Sequence, residues 1–383
     1  MIKPMTDFVL LLEAQQKLRL NIPRDVKDLH KLFKKNKREL YVVGGAVRDA
    51  LLGKRPKDFD LATDAHPTEV VSILKAGGFD TIGEVGQQFG VVIAKTPGFR
   101  EGIEIATFRE DIGKGRRPEA VEYSTIDKDV LRRDLTINAL FYDIEEEQVV
   151  DLVGGVADIQ GSIIRTVGRP KDRFDEDPLR KLRALRFAGR TGSKLEKNTA
   201  AAIIKDNSLE GVSSERVHDE FKKSIESAKS PKFYLEMVSE FSLWGVMFPD
   251  IEVNKNFIDT KSFILQITNL FSDNKSNVIK DRLNKMSFSN QEIDSILFFK
   301  QFLNLAPETA FELNKKWMIS KIDKRLLLDF AKLNRMDLKM VKAFTKYKPT
   351  TDGRYVMQQY GLKGPAIADK IKSIEADKFK SMI

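Results

Sequence analysis

The chain contains no cysteine. Disulfides and thiolate metal sites are therefore excluded, and the absence fits a reducing compartment. Histidine is scarce at 3 residues, too few for the clusters that metal-dependent phosphohydrolases need. No run approaches the roughly 18 consecutive apolar residues of a membrane span, so no membrane partner is expected. Met1 to Phe8 carry a single lysine and no long apolar core, which does not read as a signal peptide; a cytoplasmic location is expected. Acid is the scarcer charge. Against 65 Lys and Arg stand 56 Asp and Glu, a formal net charge of +9. Such an excess fits a polyanionic partner, usually nucleic acid or an anionic membrane surface.

What is present suffices for real cores. The chain has 383 residues, 42% of them hydrophobic, which suggests two or more domains. Residues 5 to 39 have apolar positions at helical spacing and a basic end at Lys34, Lys35 and Lys37. From 40 to 155, β-rich runs alternate with helical ones: Leu40 to Val43, Phe59 to Leu61, Phe89 to Ile93, Ile103 to Ile105 and Ala139 to Tyr142. Beyond about residue 172 the pattern is helices separated by short breaks at Asp206-Asn207, Phe248-Pro249 and Ser287 to Asn290. The segment from Ala331 holds a surplus of seven basic residues.

Between Tyr41 and Thr63, a strand signal runs into Gly44-Gly45 and a helix is expected from Ala46. Glycines let a backbone approach a ligand closely, and a helix N-terminus offers free N–H groups to phosphate. Arg48 follows within reach of the same anion, and Gly53 is placed to end the helix. Asp58 and Asp60 come next. On a strand, that spacing puts both carboxylates on one face, where they could hold Mg²⁺ together with substrate phosphates. Glu104, between Ile103 and Ile105, is the best third carboxylate; it reads equally well as an ordinary exposed strand residue.

Gly44-Gly45, Arg48, Asp49 and the Asp58/Asp60 pair resemble the head-domain signature of the polymerase β nucleotidyltransferase superfamily. The fuller string resembles its class II branch, which holds bacterial CCA-adding enzymes and poly(A) polymerases. The segment Arg132-Arg133-Asp134-Leu135-Thr136-Ile137-Asn138 resembles the second motif. There guanidiniums pair with phosphate oxygens, and Asp134 and Asn138, four apart, would share a helix face and bind ribose hydroxyls. The resemblance implies that Asp134 selects ribose over deoxyribose. Asp151 to Ile159 resembles the third motif, a structural hinge. Glu176-Asp177-Pro178-Leu179-Arg180-Lys181-Leu182-Arg183 resembles the fourth, in which Asp177 and Arg180, aided by Arg183, act as an amino-acid template on one helix face. A carboxylate only accepts and a guanidinium only donates, which suits cytosine and adenine and penalises uracil and guanine. Taken alone, the pair is also an ordinary i,i+3 ion pair. Glu215 to Phe221 resembles the fifth motif, a brace for the templating helix.

Between the first two motifs, Arg109, Asp111, Arg116 and Arg117 lie in a glycine-rich charged stretch that reads as a mobile loop. In the family such a loop helps the site switch from C to A. The GQQFGVV segment is more similar to CCA-adding enzymes than to poly(A) polymerases. The resemblance is strong from about 38 to 222 and thin elsewhere, with Leu243 to Ile251 the best local match beyond it. It implies an α+β chain with a polymerase-β-like head and an all-helical remainder. The divisions are an N-terminal helical extension (1–37), head or palm (38–155), base-selecting neck (156–230), body (231–330) and basic tail (331–383). It further implies CTP, ATP and Mg²⁺ as ligands, with body and tail gripping the acceptor and TΨC arms of tRNA. Poly(A) addition, CC-only or A-only addition, and a non-catalytic RNA-binding relative are the alternatives.

Overall fold

Short β-branched and aromatic runs between Tyr41 and Val150 assemble into one six-stranded sheet. Its strands are β1 (Tyr41–Val43), β2 (Asp60–Thr63), β3 (Val91–Thr96), β4 (Phe99–Thr107), β7 (Phe141–Asp143) and β8 (Gln148–Val150), in the order β3-β4-β2-β1-β7-β8. β2 and β4 run parallel, and the other neighbours antiparallel. The computed structural model describes residues 18–82, 90–112 and 120–383. It divides into a unit ending at Val212 and a second from Ser213 to Ile383.

The sheet buries a different cluster on each face. Val42, Leu61, Ile103 and Ile105 join a large core with helix α1 (Arg24–Lys35), which contributes Val26, Leu29 and Phe33, and helix α3 (Pro67–Ala76), which contributes Val70, Ile73 and Leu74. The alternating residues Val43 and Ala62 turn to the other face, with Phe108 and Phe141. Asp60 and Glu104 belong by alternation to that second face. Leu61 pairs with Ile105, so Asp60 and Glu104 stand one step earlier in the same parallel register.

Around the sheet lie α2 (Gly45–Leu51), α4 (Ile126–Leu131), a 3-10 turn (Thr136–Asn138), α5 (Gly155–Gln160), α6 (Pro170–Glu176), α7 (Leu179–Thr191) and α8 (Lys197–Lys205). A hairpin of β5 (Arg109–Ile112) and β6 (Ala120–Tyr123) projects from the end of β4. Beyond residue 172, the one strand among the described residues is β10 (Lys194–Leu195), paired parallel with β9 (Ile163–Ile164). The second unit is helical throughout its described elements, from α9 (Ser214–Ser227) to α19 (Pro365–Lys380). Its core gathers Phe299, Phe302, Phe330, Phe344 and Phe379. Among the described residues no helix is long and apolar enough to cross a membrane.

Two expectations change. Among the described residues, the helix read over 5 to 39 spans Arg24–Lys35, after Pro23, which lacks the N–H an internal helical residue needs. Residues 5 to 17 lie outside the described residues. Asp58 stands ahead of β2 rather than on it; the strand starts at Asp60.

Candidate functional site

The site begins where β1 ends. Gly44 has φ +63°, a conformation that side chains rarely adopt, and its N–H donates to Leu140 O at 2.9 Å. α2 starts at the next residue and closes at Gly53, whose φ is +69°, as the sequence suggested. Arg48 is buried rather than lying free on the surface. It donates from Nε and Nη2 to Asp49 Oδ1 at 3.0 and 2.8 Å, and from Nη1 to Asn138 Oδ1 at 2.5 Å. Its guanidinium stands 4.9 Å from the centre of the Phe187 ring. Burial lowers its pKa; Asp49 pulls it back up, and Arg190 and Arg186 nearby push it down. The surroundings of Asp49 are thus rich in positive charge.

Asp58, Asp60 and Glu104 are exposed at the edge of the second face. Phe59, between the two aspartates, is buried and meets Phe99 edge-on. That anchors the loop while its acidic neighbours face outward. The Asp60 carboxyl is raised above the usual aspartate range, first by desolvation and then by Glu104 and Asp58; Arg133 opposes the shift. The three carboxylates therefore share one field. Among the described residues no group of three or more His, Cys, Asp and Glu side chains is placed to hold a metal ion by itself. An open edge of hard oxygen donors that repel one another does suit a divalent ion completed by water and phosphate oxygens.

Asp134 and Asn138 do not share a regular helix. Asp134 precedes the 3-10 turn, yet Asn138 Nδ2 still donates to its Oδ1 at 3.3 Å. Arg183 donates from Nε to the other oxygen of Asp134 at 2.8 Å. Burial would raise the Asp134 pKa, but Arg183, Asn138 and the Leu135 N–H hold it below the ordinary value. Arg133 lies over the Phe141 ring, its Cζ 4.7 Å from the ring centre, and donates from Nη1 to Asn138 O at 3.3 Å. Both Arg132 and Arg133 are aimed by Asp129, which is 1% exposed and takes bonds of 2.7 and 2.9 Å from their Nη2 atoms. Despite burial, the two guanidiniums keep the Asp129 carboxyl below its usual range. Asp129 was missed, although an acid three and four positions before two arginines on a helix is a readable signal.

Asp177 is not on the templating helix. It has extended φ and ψ of −151° and 101°, and its Oδ1 accepts from Leu179 N at 3.2 Å at the start of α7. Pro178 at the N-cap accounts for this, since the residue before a proline is pushed out of the helical region. Arg180, on α7, donates to Glu176 Oε2 at 2.5 Å and to Arg132 O at 3.1 Å. Glu176 is a second positioning acid, read in the sequence only as a member of its motif. Arg109 and Asp111 lie on β5, not in an open loop. Arg116, Arg117 and the side chain of Asp111 fall outside the described residues, as do residues 83 to 89 of the GQQFGVV region. In the motif read as a hinge, the Asp151 carboxylate accepts from the N–H groups of Val153, Gly155 and Val156 at 3.2, 3.0 and 2.8 Å.

Comparison with known proteins agrees with this arrangement. Residues 40–165 match the family described as poly A polymerase head domain. Residues 192–254 match a probable RNA and SrmB-binding site of polymerase A. A CCA-adding enzyme of Bacillus velezensis is 44% identical over 214 residues, 55% of this chain and 52% of that protein. The chain thus spans about half the length of relatives such as this one. A CCA-adding enzyme of Streptococcus suis is 29% identical over 386 residues, 93% of each chain. The crystal structure of the Bacillus stearothermophilus CCA-adding enzyme in complex with CTP has the same fold, with a TM-score of 0.71, 23% identity and 94% of each chain covered. The Thermotoga maritima CCA-adding enzyme complexed with tRNA aligns with a TM-score of 0.66 at 21% identity, covering 97% of this chain and 94% of that one. Residues 40–165 thus carry a poly A polymerase head domain, and along most of its length the chain is similar to CCA-adding enzymes.

Proposed function

We propose that the protein adds C, C and A to the 3′ end of tRNA from CTP and ATP, releasing pyrophosphate at each step. One observation carries this reading: the carboxylate edge of Asp58, Asp60 and Glu104 faces Arg133, and the same motif joins through Asp134 to Arg183 on α7. Transfer chemistry and base reading thereby meet within one unit.

Gly44 and Gly45 would let the triphosphate approach the backbone, with Arg133 pairing to its oxygens. Asp134 and Asn138 would take the ribose hydroxyls. Asp177 would accept from the exocyclic amine of cytosine or adenine, and Arg180 would donate to the neighbouring ring nitrogen. Asp58 and Asp60 would hold Mg²⁺, with Glu104 beside them; such an ion neutralises charge on the attacking and leaving oxygens of phosphoryl transfer. The 3′ hydroxyl attacks the α-phosphate, and the bond to pyrophosphate breaks. With tRNA as substrate, the place of action is the cytoplasm. The divisions 38–155, 156–230, 231–330 and 331–383 would serve as head, neck, body and tail, the last two holding the acceptor and TΨC arms.

The test uses tRNA transcripts ending before the first C, after C and after CC, each with single and mixed NTPs. Addition of C, C and A, then arrest, supports the proposal. Continued A addition would make the protein a poly(A) polymerase. Binding of tRNA without any transfer would make it a non-catalytic relative.

A further inference from the structure

Four residues of α7 form one stripe toward the nucleotide site. Arg180, Arg183, Phe187 and Arg190 are spaced three, four and three apart, which keeps them on a single helical face. Each meets a residue of the site. Arg180 Nη2 donates to Arg132 O at 3.1 Å, and Arg183 Nε to Asp134 Oδ2 at 2.8 Å. Phe187 receives the Arg48 guanidinium, and Arg190 Nη2 donates to Asp49 Oδ2 at 3.0 Å. Asp49 is the junction, because its other oxygen is taken by Arg48 at 2.8 Å. Arg48 in turn reaches Asn138, and Asn138 reaches Asp134. The contacts close a ring through the phosphate turn, the ribose residues and α7.

We propose that the Asp49–Arg190 ion pair is a positioning strut that holds the far end of α7 and so sets the base selectivity expressed at the near end. This rests on the base-reading role given above to Asp177 and Arg180. Neither Asp49 nor Arg190 is assigned a contact with the base. The argument is one of leverage. At 1.5 Å per residue, Arg190 lies about 10 Å from the Arg183–Asp134 contact and Arg180 about 4.5 Å on the other side. Freeing the Arg190 end by about 2 Å would therefore swing Arg180 by roughly 1 Å about that pivot. A displacement of that size at a recognition group costs up to about a hundredfold. The strut is also half-buried and made to a carboxylate that already serves another arginine, so neither partner is an idle surface charge.

The experiment measures CTP and UTP affinity, and single-nucleotide incorporation on tRNA lacking its end, for wild type, Arg190→Ala and Arg190→Lys. Arg190→Ala should lower the CTP-over-UTP preference on the order of tenfold. Arg190→Lys, which keeps the charge and loses the fork, should fall between. A merely structural role would lower the amount of active protein and slow all nucleotides alike, leaving the ratio unchanged. An unchanged ratio in folded Arg190→Ala overturns the strut. If that variant fails to fold, an unchanged ratio in Arg190→Lys does so. A wild-type protein with no preference among bases would instead remove the base-reading proposal, and this inference with it.

Discussion

Asp60 is a residue at which chemistry and stability oppose one another. Desolvation, Glu104 and Asp58 all raise its folded pKa. The stability that a protonated Asp60 contributes is complete below the ordinary aspartate range and is lost as pH rises through the raised folded value. Asp60→Asn should therefore melt higher than wild type at pH 7 and gain nothing near pH 3. Transfer should fall by a factor on the order of 10³. Calorimetry at both pH values, beside turnover, checks this; no gain at pH 7 would mean that the carboxylates do not strain one another. Asp177 needs a different substitution. Its Oδ1 caps α7, so Asp177→Ala would cost about 1 kcal/mol of helix stability and confuse the result. Asp177→Asn keeps an acceptor for Leu179 N and adds a donor toward the base. Incorporation of C and A should weaken while U or G becomes detectable, with the melting temperature nearly unchanged. Unaltered selectivity would remove Asp177 from base reading. Asp58, Asp60, Arg133 and Asp134 could be proposed from the sequence because acids and arginines in a fixed order are rare. Asp129 and Arg190 were not read, and Glu176 only as a member of its motif, because each serves another side chain and its value appears only in the fold.

Elements were legible where local chemistry is strong. The strand runs emerge close to their expected places because alternating Val, Ile and Phe must cover both faces of a sheet. The misplaced elements have simple causes. Pro23 sets a helix start that apolar spacing alone ran through, and Pro178 leaves Asp177 just outside the helix whose face it was expected to share. Around Thr136, the isolated bridge between Leu135 and Thr166 takes the backbone from a longer helix. Gly155 shows a constraint that no spacing reveals: an added Cβ would lie 2.3 Å from Thr136 O. Gly155→Ala should destabilise the first unit by about 1–3 kcal/mol, read by denaturant unfolding; an unchanged midpoint would mean that the 3-10 turn gives way freely. The hairpin refines the switching argument. Arg109–Ile112 pairs with Ala120–Tyr123, so only residues 113 to 119 should be replaced by a short linker. That variant should still add CC and stall before A, because one Asp/Arg pair must serve two bases of different size. Completion of CCA at the normal rate would end the switching role.

Across the whole molecule, composition pointed to a polyanion, but not to which cations would meet it. In the tail, Lys332, Lys372, Lys378 and Lys380 have carboxylate partners. Arg335, Lys339, Lys342, Lys346, Lys348, Arg354 and Lys363 are exposed, with no ion pair among the described residues. Those seven, rather than the full surplus, are the charges free to displace counterions from a phosphate backbone. Deleting residues 331 to 383 would not test this. Ala331, Val341, Phe344, Tyr347 and Phe379 are buried in the core of the second unit, and their loss would open that core. The informative variant changes Lys339, Lys342, Lys346 and Lys363 to Gln, which leaves the buried side of each helix intact. Its tRNA affinity should fall at low salt. The slope of log affinity against log salt should flatten by about 0.7 to 0.9 for each lysine that contacts a phosphate. Affinities measured from 50 to 300 mM salt, with circular dichroism to confirm the fold, separate binding from solubility. A folded variant with the wild-type slope would show that these lysines only keep the protein soluble and that tRNA is gripped elsewhere.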